Sequence, residues 1–111
     1  MSPQKKLELL QGTLDLIVLG LLRSGPANGW DLTTAIQATS RGVLDVNYGS
    51  IYPALRRLEA RGLVKGSWGT SDNDRRARFY ELTGAGRKAL QVERASWETF
   101  SATIGLILDS E

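Results

Sequence analysis

The hydrophobic periodicity of the chain changes at Gly62, and this change restricts the fold more than any other feature of the sequence. Upstream of Gly62, apolar residues recur at the spacing of helices. Downstream of it, apolar and other residues alternate in two short segments, 63–68 and 78–82, as they do in half-buried strands. Because these segments are close in sequence, they are expected to pair as a hairpin.

Start and stop signals divide the upstream part into two helices and a third described below. Helix 1 is predicted over 13–23, is nearly apolar all round and ends at a Gly-Pro pair, with a helical lead expected at 4–10. Helix 2 is predicted from Asn28 to about Thr39, because an acidic residue three positions after Asn28 resembles a capping arrangement. Its predicted apolar face consists of Trp30, Leu32, Ala35 and Ile36.

Helix 3 is predicted from apolar residues at i, i+4 and i+7, which are Ile51, Leu55 and Leu58. Gly62 ends this helix. Pro53 leaves its start open, since proline is tolerated in the first turn but not deep inside a helix. Ser50 as N-cap would satisfy this rule, whereas a start at Asn47 or Tyr48 would require a small distortion.

The hairpin carries a polar and basic loop and is followed by a long helix. The loop, residues 69–76, is rich in turn-forming residues and is expected to project into solvent. Thr83 caps a last helix predicted over about 84–108, in which Glu93 must pair or reach solvent. Seven-residue spacing along this helix is typical of a packing seam, formed by Leu90, Trp97 and Ile104.

The 111 residues include no histidine and no cysteine. The chain therefore lacks the usual general base near neutral pH, a thiol nucleophile and the nitrogen and sulfur ligands of zinc or iron-sulfur sites. No phosphate-binding glycine loop and no carboxylate pair at helical spacing stands out. We expect neither an enzyme nor a metal or other cofactor.

The longest apolar run, at 16–22, is far shorter than the roughly 20 residues of a membrane-spanning helix. The N-terminus does not resemble an export signal, and the absence of cysteine fits a reducing compartment. We therefore expect a cytoplasmic protein that has no membrane partner.

The net charge of +2 is unevenly distributed along the chain. Residues 1–47 are balanced, whereas 48–88 carry nine cations and four acids, which gives +5. Residues 89–111 carry one cation and four acids, which gives −3. A basic centre is typical of contact with a polyanion, but on charge alone a solvated surface explains it equally well.

The order of helices and strands is that of a winged helix-turn-helix, an α+β fold that is mostly α. In this fold helix 3 enters the DNA major groove, and the hairpin loop, called the wing, reaches the adjacent minor groove or backbone. Helix 3 carries hydroxyls suited to phosphates or base edges, a glycine that permits close approach, and guanidinium groups. The alternative to DNA contact is that the tyrosines pack within the protein and the arginines are solvated. The candidate DNA-binding residues are Tyr48, Gly49, Ser50, Tyr52, Arg56 and Arg57.

The sequence resembles the PadR family of bacterial transcriptional regulators over about residues 7–108. The resemblance is carried by LLQGTLDLIVLGLL, NYGSIYPALRRLEARGLV, WGTSDNDRRARFYELTGAGRKAL and WETFSATIGLIL. It is most similar to the compact, acidobacterial-type subgroup with a single C-terminal helix. The resemblance implies a homodimer that binds an inverted repeat of double-stranded DNA and represses transcription. It implies DNA contacts from Tyr48, Gly49, Ser50, Tyr52 and Arg56, and from the wing residues Arg75, Arg76 and Arg78.

The implied dimer is built by the last helix with help from helix 1. The chain then divides into a DNA-binding domain, 1–83, and a C-terminal dimerisation helix, 84–111, that forms one unit with helix 1. Trp97 has two interpretations: dimer core, or contact with a small hydrophobic or aromatic effector. The implied interface residues are Leu14, Ile17, Leu90, Trp97, Phe100, Ile104, Ile107 and Leu108.

One departure from the family pattern falls at the start of helix 2. Relatives commonly have Gly-Tyr there, whereas this chain has Gly29-Trp30. The larger ring is expected to change how helix 2 packs on helix 3, and with it the operator preference. A protein-interaction module without DNA binding is the alternative function, because a fold does not dictate function. Such a module would present an apolar wing, and this wing is basic.

Overall fold

The computed structural model describes residues 11–110, so the helical lead expected at 4–10 lies outside the described residues. Over this described range, four α-helices and a two-stranded antiparallel hairpin confirm the mostly helical winged-helix fold. A short 3-10 turn, Leu22–Ser24, follows the first helix. The elements in chain order are α1 (Gln11–Leu21), α2 (Gly29–Thr39), α3 (Tyr48–Ala60), β1 (Val64–Thr70), β2 (Arg76–Leu82) and α4 (Gly84–Asp109).

The core lies where α1, α2 and α3 pack together beneath the hairpin. Its fully buried leucines come from all three helices and from the 3-10 turn. Each such side chain contributes about 1.5 to 3 kcal/mol through removal from water. These leucines are Leu19, Leu22, Leu32, Leu55 and Leu58.

The predicted start of α2 is confirmed by a capping box. The Asn28 side chain accepts a hydrogen bond from the Asp31 amide at 2.8 Å, and the Asp31 carboxylate accepts one from the Asn28 amide at 3.3 Å. Leu32 and Ile36 are buried as predicted, but Trp30 is exposed, so its assignment to the apolar face was wrong. Residues two apart on a helix lie on nearly opposite faces, so Trp30 cannot share the face of Leu32.

The recognition helix α3 begins earlier than the Ser50 alternative. Its N-cap is Asn47, whose side chain accepts a hydrogen bond from the Gly49 amide at 2.7 Å. Pro53 therefore lies inside the helix, past its first turn. At the other end, Gly62 has a φ of 73°, and the Leu63 amide donates to the Leu58 carbonyl at 2.9 Å. This arrangement is the Schellman motif, and it places the chain at the start of β1.

The hairpin strands are longer than predicted. The pairing runs from Val64 with Leu82 to Thr70 with Arg76, so the wing loop shortens to residues 71–75. Arg76 is on the strand and not in the loop, which corrects the predicted boundary. The loop is closed by Ser71, whose amide donates to the Arg75 carbonyl at 2.8 Å.

The buried residues of the long helix α4 lie in its first turns, within the part of the chain that the structure describes. Thr83 caps it as predicted, with its hydroxyl accepting from the Gly86 amide at 3.0 Å. A side chain at Gly86 would collide with the Leu63 backbone carbonyl, so this position requires glycine. Beyond Leu90 no described α4 residue is buried. At 1.5 Å per residue, α4 is about 39 Å long.

No helix within the described residues is long and apolar enough to cross a membrane.

Candidate nucleic-acid interface

The leading end of α3 is exposed, while the opposite side of the helix is buried. Tyr48, Gly49 and Ser50 lie at the surface, and Tyr52 is half-buried. The apolar side, Ile51, Ala54, Leu55 and Leu58, faces the core. The helix therefore presents hydroxyl groups and open backbone to solvent, which are groups that bind phosphates and base edges.

Tyr48 and Tyr52 form a hydrogen-bonded pair on this exposed end. Their hydroxyl oxygens are 2.6 Å apart, and their rings meet edge to face with centroids 5.3 Å apart. This hydrogen bond, assisted by burial, raises the pKa of Tyr52 to about 12. Tyr52 therefore keeps its proton at neutral pH, and one hydroxyl of the pair uses its hydrogen within the pair. The pair fixes the Tyr48 ring, one of the predicted DNA contacts.

Gly29 at the start of α2 provides the space for this pair. A Cβ atom at Gly29 would lie 3.2 Å from Cζ of Tyr52, tighter than ordinary van der Waals contact. Trp30 continues the aromatic row, with its ring centroid 6.0 Å from that of Tyr48. The first turns of α2 and α3 are thus joined by aromatic contacts.

The wing carries a stack of guanidinium groups on an exposed tryptophan. Cζ of Arg76 lies 4.6 Å from the ring centroid of Trp68, and Cζ of Arg78 lies 5.8 Å from it. Such cation-π contacts contribute about 0.5 to 1 kcal/mol at exposed sites and restrict the arginine side chain. Trp68 therefore restricts the position of the Arg76 guanidinium. No role for Trp68 was predicted from the sequence.

Arg78 is half-buried, and its guanidinium is turned toward α3. Its Nη2 donates to a carboxylate oxygen of Glu59 at 3.0 Å, a bond that raises the pKa of Arg78. A Cβ atom at Gly66 would collide with the Arg78 guanidinium, which shows how closely that group covers the strand. Arg78 thus connects the wing to α3.

Arg57 has a similar role at the inner side of α3. Its Nη2 and Nε donate to the two carboxylate oxygens of Asp15 at 2.7 and 3.2 Å. This bidentate contact raises the pKa of Arg57. Arg61, one turn further along, pairs with Glu93 of α4 at 3.3 Å, which answers the question of how Glu93 is accommodated. We call the three pairs Asp15–Arg57, Glu59–Arg78 and Arg61–Glu93 the α3 clamp.

The remaining predicted cations are available to a ligand. Arg56, Arg75 and Arg76 are exposed, and within residues 11–110 none of them forms an ion pair. The aromatic row and the wing together line a cleft of about 390 Å³. The cleft brings Tyr48 and Tyr52 onto the same site as Arg75 and Arg76. Four of the predicted DNA contacts, two from α3 and two from the wing, therefore share one surface, whereas Gly49, Ser50 and Arg56 are exposed on α3 outside this cleft.

The residues predicted for the dimer interface fall into two groups. Leu14 and Leu90 are buried in the core of the protomer, and Ile17 is half-buried against it. The other five are exposed on α4 and are Trp97, Phe100, Ile104, Ile107 and Leu108. We call these five residues the α4 seam. Across residues 11–110, no group of acidic residues is placed to hold a metal ion.

Comparison with known proteins agrees with this geometry. The family model described as "Transcriptional regulator PadR-like family" matches residues 18–92. A transcriptional regulator of Mycobacterium tuberculosis is 38% identical over 68 residues, covering 61% of this chain and 63% of that protein.

Solved structures of PadR regulators share the fold over nearly the whole chain. A PadR-like regulator from Bacillus cereus is 28% identical with a TM-score of 0.77, covering 92% of this chain and 97% of that one. A PadR family regulator from Eggerthella lenta is 28% identical with a TM-score of 0.78, covering 91% and 86%. The family consists of transcriptional regulators and not of enzymes. The family match spans more than half of the chain and includes α2, α3 and the wing, so the chain belongs to the PadR-like family of transcriptional regulators.

Proposed function

We propose that the protein is a homodimeric repressor that binds an inverted-repeat operator in the cytoplasm. One observation carries this proposal: the hydroxyls of Tyr48 and Tyr52 on α3 and the exposed Arg75 and Arg76 of the wing line the same cleft. In a helix-turn-helix protein the recognition helix reads base edges while other parts contact phosphates. Tyr48 and Ser50 are the proposed base readers, and Gly49 allows the backbone to approach.

The proposed phosphate contacts are three exposed arginines that form no ion pair among residues 11–110. Arg56 on α3 and Arg75 and Arg76 on the wing would each neutralise a phosphate. Arg57 and Arg78, which the sequence also pointed to, act instead as positioning residues through the α3 clamp. Tyr52 contributes mainly by fixing Tyr48.

Homodimerisation is supported by the α4 seam. Five large apolar side chains on one side of a helix form a surface that monomeric soluble proteins seldom leave open. A second copy of the chain, joined seam to seam, would cover it with twofold symmetry. Two α3 helices would then be presented to two half-sites of an inverted repeat. In this assignment residues 1–83 bind DNA and residues 84–111 dimerise.

In-vitro selection of random duplexes at about 150 mM salt tests the proposal, since non-specific electrostatic binding is weak there. We expect enrichment of an inverted repeat. Absence of any enriched sequence, together with no binding at low salt, would favour the protein-interaction module instead.

Replacing Arg76 with alanine should weaken binding to all duplexes similarly. The slope of log affinity against log salt should fall by about one, because one phosphate contact is lost. Ser50→Ala should instead change the preference among sequences and leave the slope intact. Fluorescence anisotropy on the selected operator and on a scrambled duplex, over a salt series, measures both effects. Equal behaviour of the two variants would contradict this division of roles.

An effector site is proposed beside the α4 seam. A groove of about 600 Å³ lies between α1 and α4 and is lined by Leu16, Trp97 and Phe100 among others. Its apolar walls suit a small hydrophobic or aromatic compound. Trp97 and Phe100 belong both to the groove and to the seam, so the effector and the dimer contact would share them.

Titration with a flat aromatic dye tests this site through tryptophan emission. We expect saturable quenching in the wild-type protein and its loss in Trp97→Phe. The variant is the necessary control because Trp30 and Trp68 also emit. Quenching that persists in Trp97→Phe would assign Trp97 to dimer packing alone.

A further inference from the structure

Trp30 is a large aromatic side chain in an exposed and rigid position. It is the second residue of α2 and is 65% exposed. The capping box of Asn28 and Asp31 fixes the backbone on either side of it. One part of the indole rests on Tyr48, with the two ring planes tilted by 58°. The structure thus holds a tryptophan in place without covering it.

The exposed part of Trp30 faces the DNA-binding surface. Trp30 lines the same cleft as Tyr48, Arg75 and Arg76. Within residues 11–110, its indole N–H donates no hydrogen bond. Indole nitrogen is a donor only, so its natural partner is an acceptor such as a phosphate oxygen. An uncovered aromatic face beside arginines is also a surface on which a sugar or base can pack.

We propose that Trp30 is a further DNA-contacting residue, whose ring packs against a backbone sugar of the half-site and whose N–H donates to the adjoining phosphate. The inference rests on the proposed function. It agrees with the geometry of helix-turn-helix proteins, in which the helix before the recognition helix crosses the DNA backbone. Because Trp30 also touches Tyr48, it connects this backbone contact to a base-reading residue.

Two substitutions of Trp30 distinguish the contribution of its ring to binding from that of its N–H. We expect Trp30→Phe to lower operator affinity about tenfold, because a hydrogen bond to a charged group is lost. Trp30→Ala should lower it about a hundredfold, because the packed ring is lost as well. The salt slope should stay unchanged in both, because an uncharged side chain displaces no counterions. Val92→Ala is the matched control, since Val92 is 66% exposed on α4 and does not line the cleft.

Acrylamide quenching distinguishes a DNA contact from a role in packing alone. In a Trp68→Phe, Trp97→Phe protein, Trp30 is the only tryptophan. Its emission should be quenched readily in the free protein and be protected at saturating operator. In a Trp30→Phe, Trp68→Phe protein, Trp97 is the only tryptophan. Its quenching by acrylamide should be the same with and without the operator. A Trp30 that supports Tyr48 without touching DNA would remain accessible.

The outcomes separate this inference from the proposed function. If the wild-type protein selects an operator but Trp30→Ala binds it equally well, only the inference is overturned. Unprotected Trp30 emission in the saturated complex also overturns it, even if affinity falls. If the wild-type protein selects no sequence, the proposed function fails and the inference fails with it.

Discussion

Replacing Ile104 with aspartate is expected to separate the dimer into monomers and to lower operator affinity about a hundredfold. Ile104 lies in the middle of the α4 seam and is 38% exposed. In a dimer joined at the seam, the new carboxylate would face its own copy in an apolar contact, where an unpaired charge is costly. A monomer loses the advantage of binding two half-sites at once. Sedimentation velocity and anisotropy on the selected operator measure the two effects.

Ala102→Asp is the matched control for this variant. Ala102 is exposed on the same part of α4 but, at about 100° per residue, lies on the side away from Ile104. It receives the same charge and should leave both the dimer and operator binding intact. The Ile104→Asp monomer should keep weak binding to a single half-site, because its α3 and wing are unchanged. A stable dimer in Ile104→Asp would show that the α4 seam is not the interface.

The order of elements was predictable because each one carries its own hydrophobic period. Ile51, Leu55 and Leu58 are buried as their helical spacing indicates, and Tyr80 and Leu82 as alternation indicates. The start of α3 was not predictable, since Asn47 and Ser50 are both good N-caps and Pro53 disfavours the earlier one. Tertiary packing of the buried face of α3 decides between the two N-caps. Capping rules consider only neighbouring residues and therefore cannot predict the choice.

The wing shows a second limit of local patterns. Residues 69–70 read as loop because they are glycine and threonine, yet they continue the strand ladder. Backbone pairing does not require apolar side chains, so a polar segment can extend a strand. The stack of Arg76 on Trp68 follows from this extension. Pairing of Thr70 with Arg76 and of Trp68 with Arg78 places Arg76 diagonal to Trp68 on the same face. A cross-strand pairing of this kind could have been found once the register was assumed.

The sequence predicted which residues belong to the candidate site but not which of them contact DNA and which hold the site together. Arg56 and Arg57 were predicted as DNA contacts from their charge, and Arg75, Arg76 and Arg78 from the family resemblance. The acids that form ion pairs with Arg57 and Arg78 come from α1 and from α3, and only the fold brings each acid next to its arginine. Asp15 and Arg57 are 42 positions apart in the sequence, so no local pattern indicates their ion pair.

Replacing Arg57 with alanine is expected to lower the free energy of unfolding by about 2 kcal/mol. Asp15 is only 6% exposed and would keep a carboxylate with no guanidinium beside it. Losing one member of a buried pair typically costs about 3 to 5 kcal/mol. Because the Arg57 side chain is 30% exposed, water can reach part of this pair, and the lower figure is expected. Urea denaturation followed by circular dichroism measures the change.

Arg56→Ala provides the contrast, because the neighbouring side chain is exposed and forms no ion pair within residues 11–110. It should change stability by less than about 0.5 kcal/mol but lower the salt slope of operator binding by about one. Arg57→Ala should do the reverse. A double variant, Asp15→Leu with Arg57→Met, should recover most of the stability, since apolar residues of similar volume often replace a buried pair without loss. If Arg57→Ala instead leaves stability unchanged and lowers the salt slope, Arg57 binds phosphate, and the clamp holds α3 through its other two pairs.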